Sequence, residues 1–355
     1  MVLWLEGMGA IWDDRWTDAF EAVPREAFLS RVDVGARSDE EWLRAVYRPR
    51  TYVTRRDTNG VPCSSGTMPS VVAVMLEWLG VEDGCRVLEI GTGTGYSAAL
   101  LCERLGSENV TTIDNQADLS QLAKARLAAA GYTPTLLAGD GVSGAPERAP
   151  YDRVIGTCYT WPLPITWIRQ TRPGGRVVAV LPSGSAGLDV RDDGSASGHL
   201  HPKVVGFMFM RPHMPAIPTD AEVERLLSGP AEHRALRHPR EIMLAGGSEQ
   251  CSFAAMALAV SAPYLLKREH DRPGRGAPMV DLGDMSWVRF EDATVVQGGP
   301  RRLWDEIEAL YDQWCRLGAP NRERFGLTVT PDGRHELWLD DPESRHRWPL
   351  TAPRA

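Results

Sequence analysis

Residues 86–106 read RVLEIGTGTGYSAALLCERLG: an apolar run of strand length, three glycines spaced two apart, then a helical pattern ended by glycine. A continuously apolar strand must be covered on both faces, which happens when it lies inside a sheet with helices packed on either side. The chain supplies the neighbours. NVTTID, PTLLAGD, YDRVIGTC and RVVAVLP read as further strands, with GYSAALLCERLG, ADLSQLAKARLAAAG and LPITWIRQTRPGG as helical patterns between them. Strands alternating with helices in this way imply right-handed crossovers and a mostly parallel, doubly wound α/β sheet.

This alternation predicts a domain over residues 51–216, preceded by a helical arm over residues 1–50. In DDRWTDAFEAVP, Asp13 or Asp14 is placed to cap a helix on which Trp16, Phe20 and Val23 share a face. Residues 49–69 are rich in Pro, Gly, Ser, Thr and Asp and predict a loop with a short extended piece at TYVT. PSVVAVMLEWLG then predicts a helix with Pro69 in its first turn. Residues 217–355 lose the alternation and predict a smaller α+β domain, assigned to substrate recognition. It holds a short amphipathic piece in AIPTDAEVERLLSGPAEHRALRHPRE, a loop at EHDRPGRGAP and a helix over PRRLWDEIEALYDQWCRLG. A hairpin over FGLTVTPDGRHELWLDDP closes the pattern.

Composition removes several function classes. With 43% hydrophobic and 24% charged residues, the 355-residue chain can bury a large core. A net charge of -8 lacks the basic footprint of a nucleic-acid binder. No apolar run reaches the roughly 18 residues that a membrane span needs, and the N-terminal MVLWLEGMGAIWDDRW has neither a basic leader nor a small-residue cleavage site. The expected compartment is therefore the cytoplasm. Six widely spaced cysteines without a CxxC pair predict reduced, mostly buried thiols and no metal site.

The glycine spacing narrows the ligand. Gly91, Gly93 and Gly95 give GxGxG, whereas dinucleotide-binding loops use GxGxxG. This fits S-adenosyl-L-methionine, which has no pyrophosphate to cradle. Glu89 is expected near the ligand's ammonium, Asp114 at the ribose hydroxyls, and Asp140 with the backbone of Gly141 at the adenine edge. Singly, these residues also read as a strand-end charge, a helix cap and a turn. Together they sit at the carboxyl ends of successive strands, where an open parallel sheet binds its ligand. The candidate cofactor-binding set is Glu89, Gly91, Thr92, Gly93, Thr94, Gly95, Tyr96, Asp114, Asn115, Gly139, Asp140, Gly141 and Thr157. S-adenosyl-L-homocysteine is the expected product.

From about Val23 to Pro182 the chain resembles the protein-L-isoaspartate O-methyltransferase family. The likeness lies in VPREAF, in MPSVVAVMLEWLGVEDGCRVLEIGTGTGYSAALL, in GDG followed by APYDRVIGTC, and in RPGGRVV. It implies a class I methyltransferase fold and methyl transfer to a peptide carboxylate. Where the family has Ser-Gln-Pro or Ser-Ala-Pro, this chain has SSGTMP, so Thr67 stands at the serine position that contacts the substrate carboxylate and Met68 at the next. Ser65, Thr67 and Met68 are the candidate catalytic residues, and a helix cap is the competing role for Thr67. Substrate contacts are expected from Thr67, Met68, Cys158, Tyr159, Trp161, Arg301 and Arg302, while Trp304 and Trp314 read as core.

The region after residue 216 further resembles the methyltransferases that accompany ATP-grasp peptide maturases. That likeness implies an ATP-grasp-cyclised precursor peptide of the graspetide class as partner and substrate, with an aspartate methyl-esterified and then closing to aspartimide. The alternatives are general repair of isoaspartyl residues and tailoring of a lanthipeptide or lasso peptide. No nucleic-acid or membrane partner is expected.

Overall fold

The computed structural model describes residues 1–58, 60–182, 184–202, 206–211, 215–239, 253, 257, 260–267 and 277–350. Cys251 and most of the loop expected at EHDRPGRGAP lie outside the described residues. The chain divides into two compact units. The first comprises Met1–Val180, Gly187–Ala196 and Val205–Arg211, and the second Leu181–Ala186, Ser197–Val204 and Pro212–Ala355. Residues 1–50 fall in the same unit as the glycine loop.

In the first unit, the strands β1 (Tyr52–Arg56) and β2 (Pro62–Gly66) precede the parallel set β3 (Val87–Ile90), β4 (Val110–Asp114), β5 (Thr135–Ala138), β6 (Tyr151–Tyr159) and β7 (Thr171–Leu181). The parallel order is β5-β4-β3-β6-β7. After β5 the chain returns to the other side of β3, so the order reverses there and the carboxyl end of β3 opens on a crevice. Val87, Leu88 and Ile90 are at most 1% exposed, and each contributes about 1.5–3 kcal/mol by leaving water. Ahead of the sheet, the helix Asp14–Ala22 is capped by the Asp13 carboxylate, which accepts from the Arg15 N–H, and Trp16, Phe20 and Val23 are all buried.

Two expectations are corrected. Residues 49–69 are not a loop with one extended piece: β1 and β2 pair antiparallel as a hairpin. Its polar composition hid it; at the turn the Asp57 carboxylate accepts from the Val61 N–H at 2.9 Å and the Asp57 N–H donates to the Val61 carbonyl at 2.9 Å. The helix expected over LPITWIRQTRPGG shortens to Ile165–Arg169, and Thr171 already begins β7.

The second unit contains an antiparallel five-stranded sheet in the order Ala231–Ala235, Thr294–Gly298, Trp287–Glu291, Met279–Asp281, Leu265–Lys267, which the sequence pattern did not reveal. The helix Leu303–Arg316 packs Leu303, Trp304 and Ile307 into a core with Phe290 and Val295. Phe325–Val329 and His335–Leu339 form the expected hairpin, joined by a third strand, Arg347–Leu350. Among the described residues no helix is long and apolar enough to cross a membrane, and no group of three or more His, Cys, Asp or Glu is placed to hold a metal ion.

Candidate active site

A cavity of about 130 Å³ opens at the carboxyl end of β3. A single water needs about 10–15 Å³ measured the same way, so the space suits a sizeable ligand. One wall is the glycine loop. Gly91 and Gly93 have φ of +100° and +53°, conformations that L side chains rarely adopt. A Cβ on Gly91 would lie 2.7 Å from Thr157 Oγ1, so glycine is needed there for space as well as for backbone shape. The loop leads into the helix Tyr96–Leu105, whose first backbone N–H groups have no intrahelical partner.

Two carboxylates hold this wall in different ways. Asp114, at the end of β4, lines the cavity; its Oδ2 accepts from the Gly93 N–H at 3.0 Å and its Oδ1 from the Gln116 N–H at 3.1 Å. Glu89 is fully buried beneath the loop and does not line the cavity. Ser97 Oγ donates to one of its oxygens and Thr112 Oγ1 to the other, the latter at 2.7 Å. Burial pushes its carboxyl up to about 7, against the pull of those two hydroxyls and with a further push from Asp114.

The opposite wall is assembled from distant pieces of chain: Arg25, the β2 residues Ser64, Ser65 and Gly66 with Thr67 after them, and Phe207 to Arg211. Asn115 Nδ2 donates to the Arg211 carbonyl at 2.7 Å, and Arg211 in turn donates to Asp57 at 2.7 Å and to the Pro62 carbonyl at 3.2 Å. Arg25 is 1% exposed; it donates to the carbonyl of Val46, and through Nη2 to those of Thr67 at 2.9 Å and Arg50 at 3.4 Å. Burial pulls its pKa below the ordinary arginine value. Thr67 does not cap the following helix. Met68 occupies the cap position and makes no side-chain cap hydrogen bond.

Of the expected residues, Ser65, Thr67, Gly91, Thr92, Gly93, Thr94, Tyr96, Asp114, Asn115, Gly141, Thr157 and Cys158 line the cavity. Met68, Glu89, Gly95, Gly139, Asp140, Tyr159 and Trp161 do not. Asp140 Oδ1 accepts from the Val142 N–H, closing a turn. Tyr159 acts one step removed: its backbone bonds Met208 and Met210, each at 2.8 Å, and its ring meets Phe209 at 4.4 Å. Burial, then the charge of Asp114, pushes the Cys158 thiol up to about 12. Within the second unit, Arg301 is engaged by the carboxylates of Asp281, Asp284 and Glu306, and Arg302 by Glu232.

Sequence reading missed Arg25, Ser97, Gln116 and the stretch GFMFMR. Arg25 stood inside the quoted VPREAF, yet nothing local marks an arginine whose partners lie 21 to 42 residues away.

The strand order, with its cavity where that order reverses above β3, is that of class I S-adenosylmethionine-dependent methyltransferases. A family model described as protein-L-isoaspartate(D-aspartate) O-methyltransferase matches residues 1–195, and the chain belongs to that family. The family's methyl donor is S-adenosyl-L-methionine. Among its relatives, the protein-L-isoaspartate O-methyltransferase of Thermotoga maritima is 34% identical over 170 residues, covering 47% of this chain and 50% of that protein. The protein of the same name from Methylorubrum extorquens is 37% identical over 173 residues, covering 48% and 66%. That of Ignicoccus hospitalis is 42% identical over 166 residues, covering 45% and 70%. The chain thus spans about half the length of the Thermotoga relative and two thirds of the Methylorubrum one.

A solved structure titled protein-L-isoaspartate O-methyltransferase covers 96% of this chain and 98% of its own, with a TM-score of 0.57 and 24% identity. That likeness is one of fold. It extends well beyond residue 216, so a fold of this kind includes a counterpart to the C-terminal region.

Proposed function

We propose that this protein is a carboxyl O-methyltransferase that esterifies isoaspartyl residues of proteins or peptides, using S-adenosyl-L-methionine. The observation that carries the reading is one cavity lined both by the glycine loop and Asp114 and by Thr67 and the buried Arg25. Bound S-adenosyl-L-methionine supplies an electrophilic methyl group on a sulfonium. For such a ligand the loop's backbone and Asp114 are the holding groups, and Asn115 and Gln116 border the same end. An acceptor carboxylate is already ionised near neutral pH, so the chain need only orient it and exclude water. Ser65 and Thr67 offer hydroxyls to orient it. Phe207, Phe209 and Met210 exclude water. One C–O bond forms as the C–S bond breaks, leaving a methyl ester and a thioether. Attack by the following backbone nitrogen then expels methanol and closes a succinimide without further help.

A second reading, methylation of an L-aspartate in an ATP-grasp-cyclised graspetide precursor, is favoured by Thr67 in place of the family's serine and by the apolar stretch from Phe207 to Met210. Tailoring of a lanthipeptide or lasso peptide is a variant of it. On either reading, peptide recognition is assigned to residues 217–355, and the free cysteines at positions 63, 85, 102, 158 and 315 support a reducing, cytoplasmic setting. The test is mass spectrometry after incubation with S-adenosyl-L-methionine and matched acceptors. A methyl-ester gain on unrelated isoaspartyl peptides, with the L-aspartyl versions untouched, is expected. Methylation confined to the cyclised precursor would transfer the assignment to the second reading.

A further inference from the structure

We infer that Arg25 and the Tyr96 hydroxyl together form the seat of the acceptor carboxylate, selecting an anion over an alcohol, amide or amine at the cavity. This rests on the methyl-transfer reading above. Arg25 is 1% exposed and stands at the cavity wall, yet among the described residues no carboxylate lies within ion-pair distance of its guanidinium. It donates to three backbone carbonyls, which accept hydrogen bonds but carry no charge. A cation held out of water without an anion is costly, and an anionic ligand removes that cost. Tyr96 makes the same case independently. It lines the cavity, is 5% exposed, and its hydroxyl is buried with no hydrogen-bond partner. Arg25 Cζ lies over the Tyr96 ring, 5.8 Å from its centroid, so the charge without an anion stands against the ring that carries the unpartnered hydroxyl. One of the carbonyls that Arg25 holds is that of Thr67, which ties the Thr67 backbone to the same part of the cavity lining.

The chemistry says which kinetic constant this seat controls. Carboxylate and sulfonium neutralise each other on the way to ester and thioether, so a fixed cation interacts more strongly with the bound acceptor than with the transition state. It therefore acts on capture of the acceptor and not on the chemical step. An arginine fork suits a planar carboxylate, and the compact lysine ammonium does not reproduce it.

The experiment measures kcat and acceptor KM with an isoaspartyl peptide, and S-adenosyl-L-homocysteine affinity by titration, for the wild type, Arg25→Lys and Tyr96→Phe. Arg25→Lys should raise the acceptor KM at least about tenfold, the scale of a lost charge-assisted hydrogen bond, with kcat unchanged or higher and S-adenosyl-L-homocysteine affinity unchanged. Tyr96→Phe should raise the acceptor KM about threefold, in the range of a neutral hydrogen bond, while its melting temperature stays level or rises because an orphaned hydroxyl is gone. A purely structural role for Tyr96 predicts no change in KM. If both variants keep the wild-type acceptor KM in an active enzyme, the seat is wrong and the function stands. A folded wild type that binds S-adenosyl-L-homocysteine and methylates no carboxyl peptide would overturn both.

Discussion

The two walls of the cavity are built on opposite plans. The glycine-loop wall is nearly continuous in sequence, Ile90 to Ser97 joined by Asp114 to Gln116 from the adjacent strand, and its geometry is set by backbone conformation. The facing wall draws on Arg25, on the stretch from Cys63 to Thr67 and on Phe207 to Arg211, and its geometry is set by side chains reaching for backbone carbonyls across long stretches of chain. A wall of the first kind is hard to vary without losing the ligand. A wall of the second kind can be retuned one side chain at a time, which suits a surface that has to fit different ligands.

The contrast can be broken from the loop side first. Gly91→Val forces a β-branched residue into φ of +100° with its Cβ 2.7 Å from Thr157 Oγ1. It should cost about 3 kcal/mol or more of stability and abolish S-adenosyl-L-homocysteine binding, checked by thermal melting and titration. Next in size is the pH response of Glu89. Its carboxyl titrates at 4.5 when free and at about 7 when buried in the folded chain, so the folded state binds the extra proton between those values. Stability from this group is therefore fully present below about 4.5 and is lost as pH rises through 7, by up to about 3 kcal/mol. Melting temperature recorded from pH 5 to 8 should fall in the wild type and stay flatter in Glu89→Gln.

Asp114→Ala removes the acceptor for the Gly93 and Gln116 N–H groups and should weaken S-adenosyl-L-homocysteine binding by about 2 kcal/mol, with acceptor KM little changed. Equal losses on both ligands would blur the division between the walls. The smallest effect is expected at Thr67→Ala, about 1 kcal/mol in kcat/KM for the acceptor, with Thr67→Ser retaining the wild-type value.

What could be read in the sequence follows the same division. The loop, its helix and Asp114 were legible because strand, glycines and acidic strand end are local patterns, and a parallel sheet dictates which ends converge. Glu89 was noticed for its charge but lies beneath the loop, since Thr112 on the neighbouring strand and Ser97 in the first turn of the helix satisfy both its oxygens. No spacing rule announces that. The β1–β2 hairpin read as a loop because polar ribbon residues do not alternate in hydrophobicity, and GFMFMR carried no motif because its place depends on Tyr159, about 50 residues earlier. The five-stranded sheet of the second unit escaped for a related reason: Ala231–Ala235 is almost wholly exposed and lacks the apolar face by which a strand is recognised.

Cys158 carries a consequence of a different kind. A thiolate is a far stronger nucleophile toward a sulfonium methyl than any carboxylate, and this sulfur sits in the wall of the cavity where the proposed methyl donor binds. Burial and the charge of Asp114 push its thiol up to about 12, so at neutral pH it stays protonated. The burial that shapes this part of the lining thereby holds the Cys158 sulfur in its less nucleophilic form, a requirement for any cavity that is to offer an electrophilic methyl to an oxygen acceptor.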